Sequence, residues 1–246
     1  MDQIWYVLPI VMFAAVVRGY SGFGFAVIAV IGLNFFFDPQ QSVAIILSLD
    51  LICSLNLWKQ ATKQANLPVL KKLIFGAFLG IPIGYCFLFF MPSEILKLLI
   101  CFVVLALTIL LLSSFRPFDA EKNNTKIAFG LASGAGTASA SIGGPMIVYY
   151  MLSSNLSIIS QRATMILFFI ASEALSLITL AGGGLIDEKL PKALLILVIP
   201  TLLSVHYGQY LFNRKPPLSL KSFALPIMTI VSLLGIVNSS HALIAQ

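Results

Sequence analysis

Two short stretches concentrate the residues that could do chemistry. One is Arg18-Gly19-Tyr20-Ser21-Gly22-Phe23-Gly24, and the other is Ser139-Ala140-Ser141-Ile142-Gly143-Gly144-Pro145. The chemistry they suit is the holding of a small anion. The Arg18 guanidinium is a planar fork that matches carboxylate or sulfonate oxygens. Ser21, Ser139 and Ser141 offer hydroxyl donors. Gly22, Gly24, Gly143 and Gly144 let a ligand come close to the backbone, and Pro145 suits the first position of a helix. A helix starting after each break, near Phe25 and at Pro145, would aim unpaired N–H groups and a positive dipole end at the ligand. These nine residues other than the flanking ones are the candidate substrate-binding set: Arg18, Ser21, Gly22, Gly24, Ser139, Ser141, Gly143, Gly144 and Pro145. Arg18 could instead complement the end of its own helix or pair with a carboxylate.

Three more ionisable groups fall inside apolar runs. Asp50 and Glu173 are candidates for coupling to protons, and Asp50 could equally be the structural partner of Arg18. His206, just before Tyr207-Gly208, is a third coupling candidate or a packing residue. A rival chemistry is written in Gly19-Tyr20-Ser21-Gly22, a literal Gly-x-Ser-Gly as in rhomboid intramembrane proteases, with His206 as its base. That reading explains neither the second break nor the repeat described below. Under it Ser21→Ala abolishes proteolysis, whereas an anion site would lose only affinity. A non-transporting membrane assembly factor is a further alternative. The expectation is no enzyme, no catalytic residue, no cofactor and no metal. Cys53, Cys86 and Cys101 sit in apolar runs without CxxC spacing and read as small core residues. No GxxxxGK[ST] motif exists for hydrolysing ATP.

The elements that must position these residues follow from composition. The chain is 59% hydrophobic and 10% charged, with a mean hydropathy of +1.00. A water-soluble domain so composed would be one exposed apolar patch. The apolar stretches are continuous, not alternating, so the expected fold is an all-α polytopic membrane protein and not a β-barrel. Six segments are long enough to span: 41–58, 73–91, 95–113, 163–181, 190–212 and 218–237. Residues 4–17 with 25–37, and 126–138 with 145–154, are expected to be broken segments whose halves do not span alone. Met1-Asp2-Gln3 has no positive n-region and is read as the start of a retained segment, not of a cleaved signal. The net charge of +6 sits mostly at helix ends. It speaks to topology and not to nucleic acid.

The order broken segment, helix, helix, helix recurs. Sliding by 120 residues puts Ser21 on Ser141, Gly24 on Gly144 and Gln41 on Gln161. Beyond Gly182-Gly183-Gly184 an offset of 124 puts Gly84 on Gly208 and Lys97 on Lys221. The predicted organisation is repeat 1 over 1–115, a cytoplasmic linker over 116–125 and repeat 2 over 126–246. Each repeat is a re-entrant hairpin plus three transmembrane helices. With each broken segment crossing once, loop Lys and Arg divide nine inside and five outside; with two re-entrant hairpins they divide eleven and three. The positive-inside rule favours the hairpins. Three spans per repeat then make the repeats inverted, with both termini external. Cysteines placed at Gln3 and Ser240 would label from outside. The hairpin tips would meet near the midplane, where transport sites of broken helices lie.

At this point the residues resemble a known family. Gly19-Tyr20-Ser21-Gly22-Phe23-Gly24-Phe25 and Ser141-Ile142-Gly143-Gly144-Pro145, each followed by an apolar run, are similar to the paired glycine-rich signatures of the TauE/SafE sulfite and organosulfonate exporter family. The resemblance covers length, segment order and central linker. It departs at Phe25, where a further glycine is common, and at Pro145, directly after Gly143-Gly144. What it implies is a secondary transporter, by family an exporter, in the bacterial inner membrane. The implied substrates are small sulfur-containing anions such as sulfite or organosulfonates. The expected partners are that anion and membrane lipid, without nucleic acid; association into a homo-oligomer stays open, as do the direction of transport and the coupling ion.

Overall fold

A computed structural model describes residues 3–113, 117–186 and 190–215, with Pro226, Thr229, Ile230 and Leu233. Most of the expected span 218–237, and Ser240, lie outside the described residues. Within them all regular structure is helical: α1 Gln3–Ser21, α2 Phe25–Leu33, α3 Pro39–Gln64, α4 Leu67–Phe90, α5 Ser93–Leu112, α6 Asn123–Ala140, α7 Gly143–Leu152, α8 Ile158–Gly182 and α9 Leu190–Arg214. Six of these, α1, α3, α4, α5, α8 and α9, are long and apolar enough to cross a membrane. The protein is an all-α polytopic membrane protein.

Local chemistry sets the helix starts. Pro39 opens α3 after Asp38. The Asn66 side chain caps α4 by accepting from the Val69 N–H at 3.1 Å, and Ser157 caps α8 by accepting from Ser160 at 3.3 Å. Side chains sort as hydrocarbon demands. On α9, Leu195, Ile199 and Leu203 are exposed at four-residue spacing, while Thr201, Ser204 and Gly208 are buried. Large apolar groups thus face lipid and small or polar ones face protein. Cys53 and Cys101 are buried, as expected of core residues, but Cys86 is exposed on α4.

The breaks differ from expectation in where they fall. α1 does not end near Val17; it continues through Arg18 and Gly19 to Ser21, 19 residues in all. At ~1.5 Å per residue that is ~28 Å, enough to span alone by length. The reason is packing. Gly19 stays helical because its bare backbone lies against α9, where a methyl group would overlap the Val205 carbonyl. α6 likewise runs the 18 residues from Asn123 to Ala140. The returning helices are short, nine residues in α2 and ten in α7.

Both broken segments are antiparallel hairpins. Gly24 lies beside Val17, and Gly32 beside Ile10. At the open end the rings of Tyr6 and Phe36 stack with centroids 6.0 Å apart. In the second, the Ser133 hydroxyl donates to the Gly143 carbonyl at 2.8 Å. Phe129 meets Tyr150, whose hydroxyl donates to the Ala120 carbonyl at 3.1 Å.

Each hairpin's long arm is fastened to a helix of the other half of the chain. α1 lies on α9 through Gly19 and Gly208, and α6 lies on α4 through Gly130, Gly134, Gly76, Gly80 and Gly84. At most of these positions an added methyl would collide with a facing carbonyl. Small residues let membrane helices approach to backbone contact. Between these seams α3 and α8 pack on each other. α3 is buried on every side from Ser42 to Asp50, and α8 from Gln161 to Ile166. These two helices carry Asp50 and Glu173.

Candidate functional site

Arg18 reaches the centre from the last turn of α1, where its guanidinium is only 1% exposed. Nη1 donates to the Gly22 carbonyl at 2.8 Å, a bond that ties the arginine to its own hairpin tip. Nη2 donates to the Ser54 hydroxyl, which in turn donates to Glu173 Oε2 at 3.2 Å. Nε stands 3.0 Å from Asp50 Oδ1, and Nη2 stands 3.7 Å from Glu173 Oε1. The Asp50 contact is an ion pair without hydrogen-bond alignment, since neither atom has a hydrogen-bond partner. The guanidinium lies over the face of Phe169, 4.5 Å from its centroid, which adds a cation–π contact. Asp50 and Glu173 thus both face the one guanidinium. One cation and two carboxyl groups therefore share a buried site.

A cavity adjoins this cluster. Arg18, Asp50 and Glu173 line it, together with Gly24, Ala26 and Val27 from the first hairpin and Thr137, Ser141 and Gly144 from the second. Both short helices thus present their first turns, where N–H groups have no intrahelical partner. Its volume is about 10 Å³, near the least that holds one water molecule. An oxyanion of sulfur needs more, so the helices must part to admit one.

Of the nine candidate binding residues, four line this cavity: Arg18, Gly24, Ser141 and Gly144. Ser141 is the one non-glycine with a left-handed backbone among the described residues, at φ 57°. Its buried hydroxyl has no partner, so a donor is left facing the cavity. The other five serve the tips. The single Ser21 hydroxyl proton has two carbonyl acceptors in reach, Val17 at 2.8 Å and Phe23 at 2.7 Å. Gly22, at φ 81°, lends its carbonyl to Arg18. Ser139 reaches the Gly136 carbonyl at 3.4 Å. Gly143 is required by packing, because a methyl there would overlap Thr137 and the Ser133 carbonyl. Pro145 is not the first residue of its helix; α7 starts two residues earlier, at Gly143, and the proline occupies the first turn, where its missing N–H costs nothing.

His206 is not at the centre. It is exposed on α9, beside Asn56 Nδ2 at 3.3 Å and the Leu202 carbonyl at 3.0 Å. With Ser21 turned to backbone carbonyls and His206 engaged elsewhere, the two do not form a nucleophile–base pair.

Ser54, Thr137 and Phe169 are site residues that the sequence reading passed over. So is Arg162, which it counted as a loop charge. Arg162 is 4% exposed in α8. It donates to the Gly19 carbonyl at 2.7 Å and to Gln209 Oε1 at 2.6 Å and lies over Phe212 at 4.0 Å. It clamps the outer side of the first tip. The available signal was an arginine one turn inside an apolar helix.

A second cavity of about 500 Å³ opens at the end of the bundle where α3, α5 and α9 begin. Its walls include Lys97, Lys192, Asp38 and Phe36. Gln41, Ala44 and Ile45 line it on the same helix whose Leu47 and Asp50 line the central cavity. The two spaces therefore follow one another along α3.

The family profile described as "Sulfite exporter TauE/SafE" matches residues 7–234. No curated protein and no solved structure matches the chain.

Proposed function

Because the chain belongs to the sulfite exporter TauE/SafE family, a family of membrane transporters and not of enzymes, we propose that it carries small sulfur oxyanions, sulfite or organosulfonates, past the Arg18 cavity by alternating access. The observation that carries this reading is the convergence of a buried arginine, an unpartnered Ser141 hydroxyl and the first turns of two half-helices on one closed space. The guanidinium, the donors and the helix dipoles there favour an anion, against the two carboxyl groups beside them.

Alternating access finds support in an asymmetry between the two ends of the bundle. Ala44 and Leu190 wall the large cavity at one end. Their counterparts under the sequence offsets are Thr164 and Asn66. At the other end these are joined, the Asn66 N–H donating to the Thr164 hydroxyl at 2.9 Å. One end stands open while the matching end is shut. In this reading 1–115 and 126–246 are inverted repeats, each hairpin is re-entrant, and the 116–125 linker is cytoplasmic. The membrane is the bacterial inner membrane, with both termini outside and Lys97 and Lys192 flanking the external mouth. Cysteine labelling at Gln3 from the external side alone is the expected result; labelling only from the cytoplasm overturns this orientation.

The function is tested by binding. Purified protein is screened by calorimetry and thermal shift against sulfite, thiosulfate, small sulfonates, carboxylates and phosphate. Saturable binding of the sulfur oxyanions is expected, and binding of none of them overturns the reading. Ser141→Gly isolates the hydroxyl, because glycine accepts φ 57° without strain. It should weaken sulfite binding by about 0.5–1.5 kcal/mol while leaving the unfolding temperature of the ligand-free protein unlowered.

A further inference from the structure

Arg18 cannot accept a substrate anion without giving up a carboxylate, and from this we infer that the anion enters with a proton taken up by the Asp50–Glu173 pair. The inference rests on the anion-transport reading and names the co-substrate of that same site.

The argument is a count of charge in a closed space. Arg18, Asp50 and Glu173 are each at most 3% exposed, and the cavity beside them has room for about one water molecule. With one proton on the carboxyl pair the cluster is neutral, whereas two ionised carboxylates against one buried guanidinium would leave a net negative charge out of water. An arriving monoanion that pairs with Arg18 displaces Asp50, whose contact at 3.0 Å is unaligned and the easier to release. The displaced carboxylate would then be buried without a cation, at large cost. A proton from water at the open end, bound to that carboxylate oxygen, restores neutrality. One anionic charge in is matched by one proton in, and both leave together.

Among the described residues no other group facing the pair can take up this proton. α1 supplies Arg18; α3 supplies Cys53 and Ser54 beside Asp50; α2, α6 and α7 bring only Ala26, Val27, Thr137, Ser141 and Gly144 to the cavity. On α8 the next charged group is Arg162, already a cation and bound to the Gly19 carbonyl. His206 on α9 faces Asn56.

The test measures protons and anion together. Methanesulfonate, whose charge does not change across the working pH range, is titrated into wild-type protein in buffers of different ionisation enthalpy. Uptake of about one proton per anion is expected, with affinity falling about tenfold per pH unit once the empty pair has lost its second proton. In Asp50→Asn/Glu173→Gln the uptake should vanish and the affinity become independent of pH. Sulfite, which itself titrates, is read as the difference between wild type and this double variant. Binding without proton uptake overturns the inference and leaves the transport reading intact; absence of binding by either anion overturns the transport reading. Uptake that persists in the double variant removes the carboxyl pair as its carrier. Should the double variant fail to fold, infrared spectra of wild type decide: binding must add a protonated-carboxyl C=O band that Asp50→Asn or Glu173→Gln shifts, and an unchanged band overturns the inference.

Discussion

Replacing Arg18 by alanine is expected to destabilise the protein by about 3–5 kcal/mol and to abolish anion binding. The first effect follows from what the arginine leaves behind. Asp50 and Glu173 are buried at 3% and 2% exposure, and Arg18 is the only cation paired with them among the described residues. Breaking a buried ion pair from one side leaves charge without compensation. The Gly22 carbonyl and the Ser54 hydroxyl lose their donor as well. The second effect would be hard to interpret alone, because a protein that unfolds binds nothing. A compensated variant separates the two. Arg18→Ala with Asp50→Asn and Glu173→Gln removes all three charges, so the unfolding temperature should recover most of its loss. Sulfite binding should not recover, because its cation is gone. Recovered stability together with recovered binding would show that Arg18 serves only the hairpin tip.

The second large effect lies far from the site. Gly80→Ala is expected to destabilise by about 1–3 kcal/mol, or to prevent assembly, although it adds a single methyl group. That methyl would overlap the Leu131 carbonyl oxygen and press on the Ala135 amide nitrogen at 2.9 Å. Backbone cannot swing aside as a flexible side chain can, so α4 and α6 must separate along their whole contact. Gly182→Ala is the control. Nothing lies within 4 Å of a methyl at Gly182, and its effect should stay within about 0.5 kcal/mol. Thermal unfolding in detergent reads both. Equal stability of the two variants would mean that the α4–α6 seam yields where its geometry says it should not.

The membrane class, the two breaks and their helical nature were legible because hydropathy and glycine act locally. So was the pairing of Asp50 with Arg18, one of two options that charge burial allowed. Other features were hidden because they arise only in three dimensions. Gly19 looks like a helix breaker in sequence; it is held helical by the α9 backbone. Gly22, Gly24 and Gly143 look alike in sequence, yet one lends a carbonyl to Arg18, one lines the cavity and one fits between Thr137 and Ser133. Arg162 looked like an orientation signal because its neighbours Gly19, Gln209 and Phe212 are remote along the chain. His206 was open between coupling and packing because it lies in an apolar run, but an apolar run in lipid has an outer face, and His206 is on an exposed one.

The glycine seams bear on how such a chain can be cut. The stretch expected to recur is a hairpin with the helices after it, yet among the described residues each hairpin's long arm packs most closely on a helix of the other half of the chain. The first is fastened to α9 and the second to α4. The unit proposed to repeat and the unit that coheres are therefore different sets of helices, interlocked like two hands each gripping the other wrist. Either half made alone would bare a glycine-lined groove shaped for a partner that is missing. Two separately made halves should instead recognise each other, with the grooves as their address.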